Sequence, residues 1–386
     1  MKKVLMAILC LFMIAGCSGT KSSSGSESYK IGLDFELTGG VADYGNAELK
    51  GATLAIEQAN AAAGYEKYTS VQYDTKSDVS EAVSTATSLV QDKVVGVVGP
   101  ATSGASAAGY QIFNDAKVIV ISPSATANNI TLTNPDDSTS AVYDYVFRAC
   151  FEDSYQGAAM AQFAVDNLKC KKAIIYGDST TDYSKGLSAS FKKQFEKLDG
   201  VIVDSENYVA GDTDFASVLT KIKNMDFDVL YIPGYYSEAG LIIKQARAMG
   251  ITVPIIGGDG FDSVTLSDLA GNENLNDVYF TTAYTTINAS DSLKAFIDAY
   301  KEKYNEDPNM FSALAFDSVN CLIQGIEKAG SNDPTAIQKA VKEIEFDGIT
   351  GSFTFDAAHT PVKSVLVVKL VNGVQSDAVS VSPKVD

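Results

Sequence analysis

Residues 255–261 read IIGGDGF: a short apolar run, then one carboxylate, Asp259, set among glycines. A carboxylate placed so can cap a helix, act as a general base, ligate a metal, or balance a cationic ligand. Each reading needs partners elsewhere in the chain. A base in a hydrolase needs a nucleophile and usually an imidazole. The only histidine is His359, in the turn-like segment DAAHTP, which reads as a surface loop. No G-x-S-x-G elbow, G-x-G-x-x-G loop or Walker pattern occurs. Histidine ligands for a metal are lacking, and no carboxylate cluster with ligand spacing replaces them. These absences argue against an enzyme, a metal site and a cofactor.

The remaining cysteine chemistry is sparse. Cys10 and Cys17 fall in the N-terminal segment, and Cys150, Cys170 and Cys321 are scattered. A Cys150–Cys170 bridge is one reading; small buried apolar residues are the preferred one.

Residues that could face Asp259 sit at other strand ends. GVVGP is followed by ATSGASAAG, which opens a helix near Ser103. VIVIS is followed by PSATANN, with Ser124, Ala125 and Thr126. Hydroxyls beside a helix N-terminus suit an anion, because unpaired N–H groups and the helix dipole supply positive potential. On spacing alone, the N-cap of that helix is the preferred reading of Ser103. Aromatic Tyr44 follows the first strand, in TGGVADYGN, while Tyr183 and Tyr235 fall in GDSTTDYSKG and PGYYSEAG. One side offering anion donors and the other a carboxylate would suit a zwitterion such as an α-amino acid.

These loops are positioned by a repeating pattern. Apolar strands such as VVGVVGP, KVIVISPSA, KAIIYGD and DVLYIPGYY alternate with amphipathic helical stretches from residue 29 onward. That alternation predicts βαβ units in mainly parallel sheets, with helices on both faces. Ligands of such sheets collect at the carboxyl ends of the strands. The first series runs to about residue 147, and YVFRACFEDSYQG opens a second that runs to about 280. Helices are expected near 290–305, 311–329 and 334–344, and ITGSFTFDA and VKSVLVVKLVNG are expected to pair as a hairpin across AHTP.

The N-terminus MKKVLMAILCLFMIAGC carries two lysines, a thirteen-residue mostly apolar run and small residues before Cys17. It reads as a lipoprotein signal peptide over residues 1–16, with Cys17 lipidated and 17–28 a polar tether. The implied location is extracytoplasmic, anchored to the outer face of the cell membrane by lipid alone. The formal charge is −18, or −20 once Lys2 and Lys3 are removed, which disfavours nucleic acid or an anionic bilayer as partner.

The ordered set TGGVADYG, GVVGPATSGASAA, ISPSATA, DYSKGL, PGYYSEAG and GGDGF resembles the branched-chain amino-acid substrate-binding proteins of ABC importers, over about residues 29–375. The resemblance implies a type I periplasmic-binding-protein fold: α/β, with two doubly wound parallel-sheet lobes joined by a three-segment hinge that closes on ligand. It implies an N-terminal lobe of 29–147 plus 281–346 and a C-terminal lobe of 148–280 plus 347–386. Ser103 and Thr126 would hold the ligand carboxylate, and Asp259 with the Ser124 carbonyl would hold the ammonium. Tyr44, Ala101, Thr102, Ala125, Tyr183, Tyr235 and Phe316 would line the site; Phe316, like Phe151, also reads as core. Family members often carry glutamate where Asp259 stands, and some have a disulfide where this chain has Ser77 and Thr102. The implied function is a monomeric receptor that passes an aliphatic amino acid to an ABC permease. A different small ligand (an amide, a urea-like compound or an aromatic acid) and a role as a sensor subunit are the alternatives.

Overall fold

A computed structural model describes residues 28–383; the leader, Cys17 and most of the tether lie outside the described residues. The first sheet holds β1 (Tyr29–Phe35), β2 (Tyr68–Asp74), β3 (Gly96–Val98), β4 (Ile119–Ser122) and β5 (Val146–Arg148). They are parallel, in the order β2-β1-β3-β4-β5. Helices α1 (Ala42–Ala63), α2 (Val79–Gln91) and α3 (Ser103–Asp115) make the crossovers. β3 and β4 are buried throughout, as strands covered on both faces must be.

After α4 (Asp153–Asp166) the second sheet begins. It contains β6 (Lys172–Asp178), β7 (Val201–Tyr208), β8 (Val229–Ile232), β9 (Ile255–Gly257) and β10 (Val278–Thr282). These five parallel strands alternate with α5 (Asp182–Lys197), α6 (Ala216–Ile222), α7 (Tyr236–Ala248) and α8 (Val264–Ala270). The chain then returns to the first lobe: α9 (Asp291–Tyr304) and α10 (Met310–Ala329) pack on α1, and α11 (Pro334–Lys342) packs on α10. The pair β11 (Phe346–Gly348) and β12 (Gly351–Phe353) precedes a last crossing to β13 (Val365–Val371) and β14 (Val374–Val381) on the second sheet. Crossings after β5, after β10 and after β12 therefore join two doubly wound lobes, the type I periplasmic-binding-protein architecture.

Close approach of α1 and α10 fixes the first lobe. A Cβ at Gly51 would lie 1.9 Å from the Ser312 carbonyl oxygen, so glycine is required there for packing rather than for backbone freedom.

Three sequence expectations change. The strand in YVFR is the edge of the first sheet, paired with β4, rather than the start of the second. ITGSFTFDA and VKSVLVVKLVNG do not pair as one hairpin. β12 turns back on β11, and Asp317 fastens that turn by accepting from the N–H groups of Ile349 and Thr350. β13 pairs with β14 across Asn372–Gly373, both at positive φ, the Asn-Gly signature of a tight hairpin. His359 is buried rather than exposed, because the segment around it is a crossing that packs on β5. Its ring stacks on Phe147 with centroids 4.3 Å apart, and Nδ1 lies 3.0 Å from the Val146 carbonyl. Burial lowers its pKa and favours the neutral ring. Cys150, Cys170 and Cys321 are buried free thiols.

Candidate functional site

The strand ends of both sheets meet in a narrow pocket of about 10 Å³ between the lobes. The first lobe contributes Tyr44, Ala101, Thr102, Ser103, Ser124 and Phe311; the second contributes Tyr183, Tyr235, Asp259 and Gly260. A larger cleft of about 990 Å³ adjoins it and shares Thr102, Tyr183 and Tyr235 with the inner wall. As the side chains stand, the inner pocket has room for little more than one water, and the adjoining cleft falls in the roughly 300–1,000 Å³ range of small-molecule sites.

Asp259 enters because β9 ends at Gly257 and a single 3₁₀ turn, Asp259–Phe261, follows. Gly258 and Gly260 let Tyr183 approach: a Cβ at either position would lie 2.6 Å or 3.1 Å from its hydroxyl. That hydroxyl donates to Asp259 Oδ1 at 2.7 Å and accepts from the Gly260 N–H at 3.0 Å. Gln156 Nε2 donates to the same Oδ1 at 3.0 Å. Burial pushes the Asp259 carboxyl up to about 6, although these two bonds favour its ionised form. Among the described residues no lysine, arginine or histidine lines the pocket, so the carboxylate meets no cation from them there.

The opposing wall is hydroxyl-rich. Ser103 begins α3, but the N-cap is Thr102 and neither side chain caps the helix. Instead Ser103 Oγ accepts the Ala127 N–H at 3.1 Å, which leaves its own proton to donate. Ser124 Oγ lies 2.5 Å from Glu48 Oε1 and 2.9 Å from the Ala101 carbonyl. Glu48 is fully buried and its pKa is raised well above the ordinary value, first by burial and then by Glu36. With Glu48 neutral, its hydroxyl donates to Ser124 Oγ, leaving the Ser124 hydroxyl to donate to the Ala101 carbonyl. Glu36 accepts from the N–H groups of Ala101 and Thr102, each at 3.0 Å, and from the Thr102 hydroxyl. Those two backbone donors are thus occupied by the protein itself, a feature the reading of a free helix start did not anticipate.

Aromatic rings close the chamber. Tyr44 stacks on Phe311 at 4.2 Å, meets Tyr235 edge-on at 5.6 Å, and Tyr235 stacks on Tyr183 at 5.0 Å. Tyr44 also ties the lobes together, its hydroxyl donating to the Gly260 carbonyl at 2.5 Å. Across the same seam Ser263 Oγ donates to Asp43 at 2.6 Å.

Some sequence candidates stand elsewhere. Phe316 packs on Phe296 at 4.9 Å and does not line the pocket; Phe311 does. Five residues along α10 turn a side chain about 140° around the axis, away from the cleft. Phe151 is core. Ala125 and Thr126 lie buried outside the lining, and the Thr126 hydroxyl faces the buried Asp153 carboxyl. Gln156, Phe311 and the buried acids Glu36 and Glu48 were missed. They sit on helices or at the first strand's end, where the pattern gives them ordinary structural explanations. Among the described residues no group of histidine, cysteine and acids is arranged to hold a metal, and no helix is long and apolar enough to cross a membrane.

A family model described as periplasmic binding protein matches residues 28–375. A leucine-, isoleucine-, valine-, threonine- and alanine-binding protein of Pseudomonas aeruginosa is 32% identical over 92% of this chain and 93% of its own length. The chain belongs to the branched-chain amino-acid substrate-binding family of ABC transporters. Members are solute-binding proteins rather than enzymes. Among solved structures, the branched-chain amino acid transporter substrate binding protein of Streptococcus pneumoniae in complex with isoleucine is 42% identical, with a TM-score of 0.86 over 92% of this chain and 100% of that one. A leucine binding protein of Thermotoga maritima is 34% identical, with a TM-score of 0.84 over 92% and 99%. A Rhodopseudomonas palustris (R. palustris) solute binding protein in complex with benzoate shares the fold at 23% identity and a TM-score of 0.81, covering 92% of this chain and 97% of that one.

Proposed function

We propose that this protein is a lipid-anchored extracytoplasmic receptor that closes on an aliphatic α-amino acid, most simply a branched-chain one, and delivers it to an ABC permease as a monomer. The observation that carries this reading is Asp259: a buried carboxylate with no cationic neighbour in the pocket, facing a wall of hydroxyls. A ligand ammonium completes the ion pair, with the Ser124 carbonyl beside it. The ligand carboxylate takes the Ser103 hydroxyl and, once the loop adjusts and the Thr126 hydroxyl turns from Asp153, that hydroxyl as well. Tyr44, Tyr235, Tyr183 and Phe311 enclose the apolar side chain. The two lobes move about the crossings after β5, β10 and β12, and Cys17 carries the anchor.

A thermal-shift panel over the twenty amino acids, with benzoate as an added ligand, tests the reading, since a ligand bound only by the folded state raises its melting temperature. Leucine, isoleucine or valine should give the largest shifts. A shift from benzoate alone would overturn the amino-acid assignment.

A further inference from the structure

The loop after β4 is held by a residue outside the pocket. Arg148 ends β5 and is completely buried. Its Nη1 donates to the Ala127 carbonyl at 2.8 Å and more distantly, at 3.4 Å, to that of Ala125. Nε donates to the Thr360 hydroxyl at 2.9 Å, and Nη2 pairs with Glu152 at 2.5 Å. Glu152 in turn accepts the Asn129 N–H at 2.8 Å, closing a ring around residues 125–129. The far side of the Ala127 residue carries the consequence, for its N–H is the donor that orients Ser103 Oγ.

We propose that Arg148 is a positioning residue for the ligand carboxylate: it sets the hydroxyls of Ser103 and Thr126 through residues 125–129, and ties them to two of the three interlobe crossings. Residues 149–152 belong to the first crossing, and His359 and Thr360 to the third. The His359 carbonyl also accepts the Arg148 N–H at 3.4 Å. A planar guanidinium reaches four acceptors in fixed directions, which a lysine ammonium on a flexible stem cannot reproduce. Closure of the lobes and alignment of the carboxylate donors are therefore one mechanical event.

The inference rests on the amino-acid reading, and the test separates the two. L-Leucine and L-leucinamide, which lacks the carboxylate charge, are titrated calorimetrically into the wild type, Arg148→Lys and the milder Thr360→Val. The wild type should prefer leucine strongly. Arg148→Lys should lose about tenfold or more in leucine affinity and little for the amide, the size of losing one or two charge-assisted bonds. Thr360→Val should shift the same ratio less, and it serves if the lysine variant fails to fold. Equal weakening of both ligands, or a lower melting temperature with an unchanged ratio, would make Arg148 merely structural and overturn the proposal. A wild type that binds no amino acid would overturn the underlying reading, and the positioning role with it.

Discussion

Asp153 and Asp259 share a single donor: Gln156 Nε2 lies 2.8 Å from Asp153 Oδ1 and 3.0 Å from Asp259 Oδ1. Both carboxyls are buried, and the amide holds them side by side. Two like charges so placed do not ionise together. Asp153 is held well above the usual carboxylate range by burial and by Asp259, whereas Asp259 reaches only about 6. The pair carries one negative charge near neutral pH, and it sits on the residue that lines the pocket.

Ligand binding should therefore be linked to one proton. An ammonium beside Asp259 stabilises its ionised form, so the bound-state pKa falls below the free value of about 6. Affinity should be flat above that pH and weaken by about tenfold per unit below it, until the bound-state pKa is reached. Calorimetry near pH 6 in buffers of different ionisation enthalpy should show about half a proton released per ligand bound. Proton uptake on binding would contradict the ion pair.

The same carboxylate should cost the empty protein stability. The ordinary aspartate value is 3.8, and the folded value is about 6. Between them the fold retains a proton that the unfolded chain has released, so ligand-free stability falls as pH rises through that window. Above it the loss stays constant, at about 3 kcal/mol for a shift of this size. Asp259→Asn should accordingly melt higher than wild type at pH 7.5 without ligand, and the difference should vanish near pH 4. Thermal unfolding at the two pH values checks it.

Glu48 acts as a neutral donor to Ser124, so Glu48→Gln supplies an equivalent N–H and should leave amino-acid affinity within about threefold. Glu48→Ala empties a buried site and strands the Ser124 hydroxyl, costing about 1–3 kcal/mol of stability. Chemical denaturation of both variants distinguishes them. A glutamine variant as damaged as the alanine would mean that Glu48 is charged.

Tyr44→Phe removes the bond from Tyr44 to the Gly260 carbonyl and the longer one it accepts from the Tyr236 N–H, and keeps the ring stacked on Phe311. Interlobe hydrogen bonds are worth about 1 kcal/mol each, so the closed form should weaken and ligand should leave at least about fivefold faster. Stopped-flow release with a competing amino acid reads this directly.

Much of this was legible in the chain because strand ends announce themselves. Tyr44, Ser103, Tyr183, Tyr235 and Asp259 follow or flank apolar runs, and a parallel sheet gathers such ends at one edge. Gln156 and Phe311 gave no such signal, since each lies in the first turns of a helix whose apolar pattern explains it as packing. Glu48 reads as an exposed helical acid until α1 is seen pressed into the first lobe. His359 looked solvent-exposed because turn-like neighbours predict a loop, and nothing local says that this loop crosses between lobes. The β13–β14 hairpin was readable from Asn372–Gly373, but the strand before it invited pairing with the wrong neighbour.

The central claim is that Asp259 receives the ligand's ammonium. Calorimetric titration of wild type and Asp259→Asn with L-leucine and with 4-methylpentanoate, the same molecule without its amino group, tests it most directly. The wild type should bind leucine far more tightly than the deaminated acid. In Asp259→Asn leucine affinity should fall by about a hundredfold or more, the order of magnitude for breaking a buried pair, and the preference over 4-methylpentanoate should collapse. A folded Asp259→Asn protein that binds leucine as tightly as wild type would contradict the account.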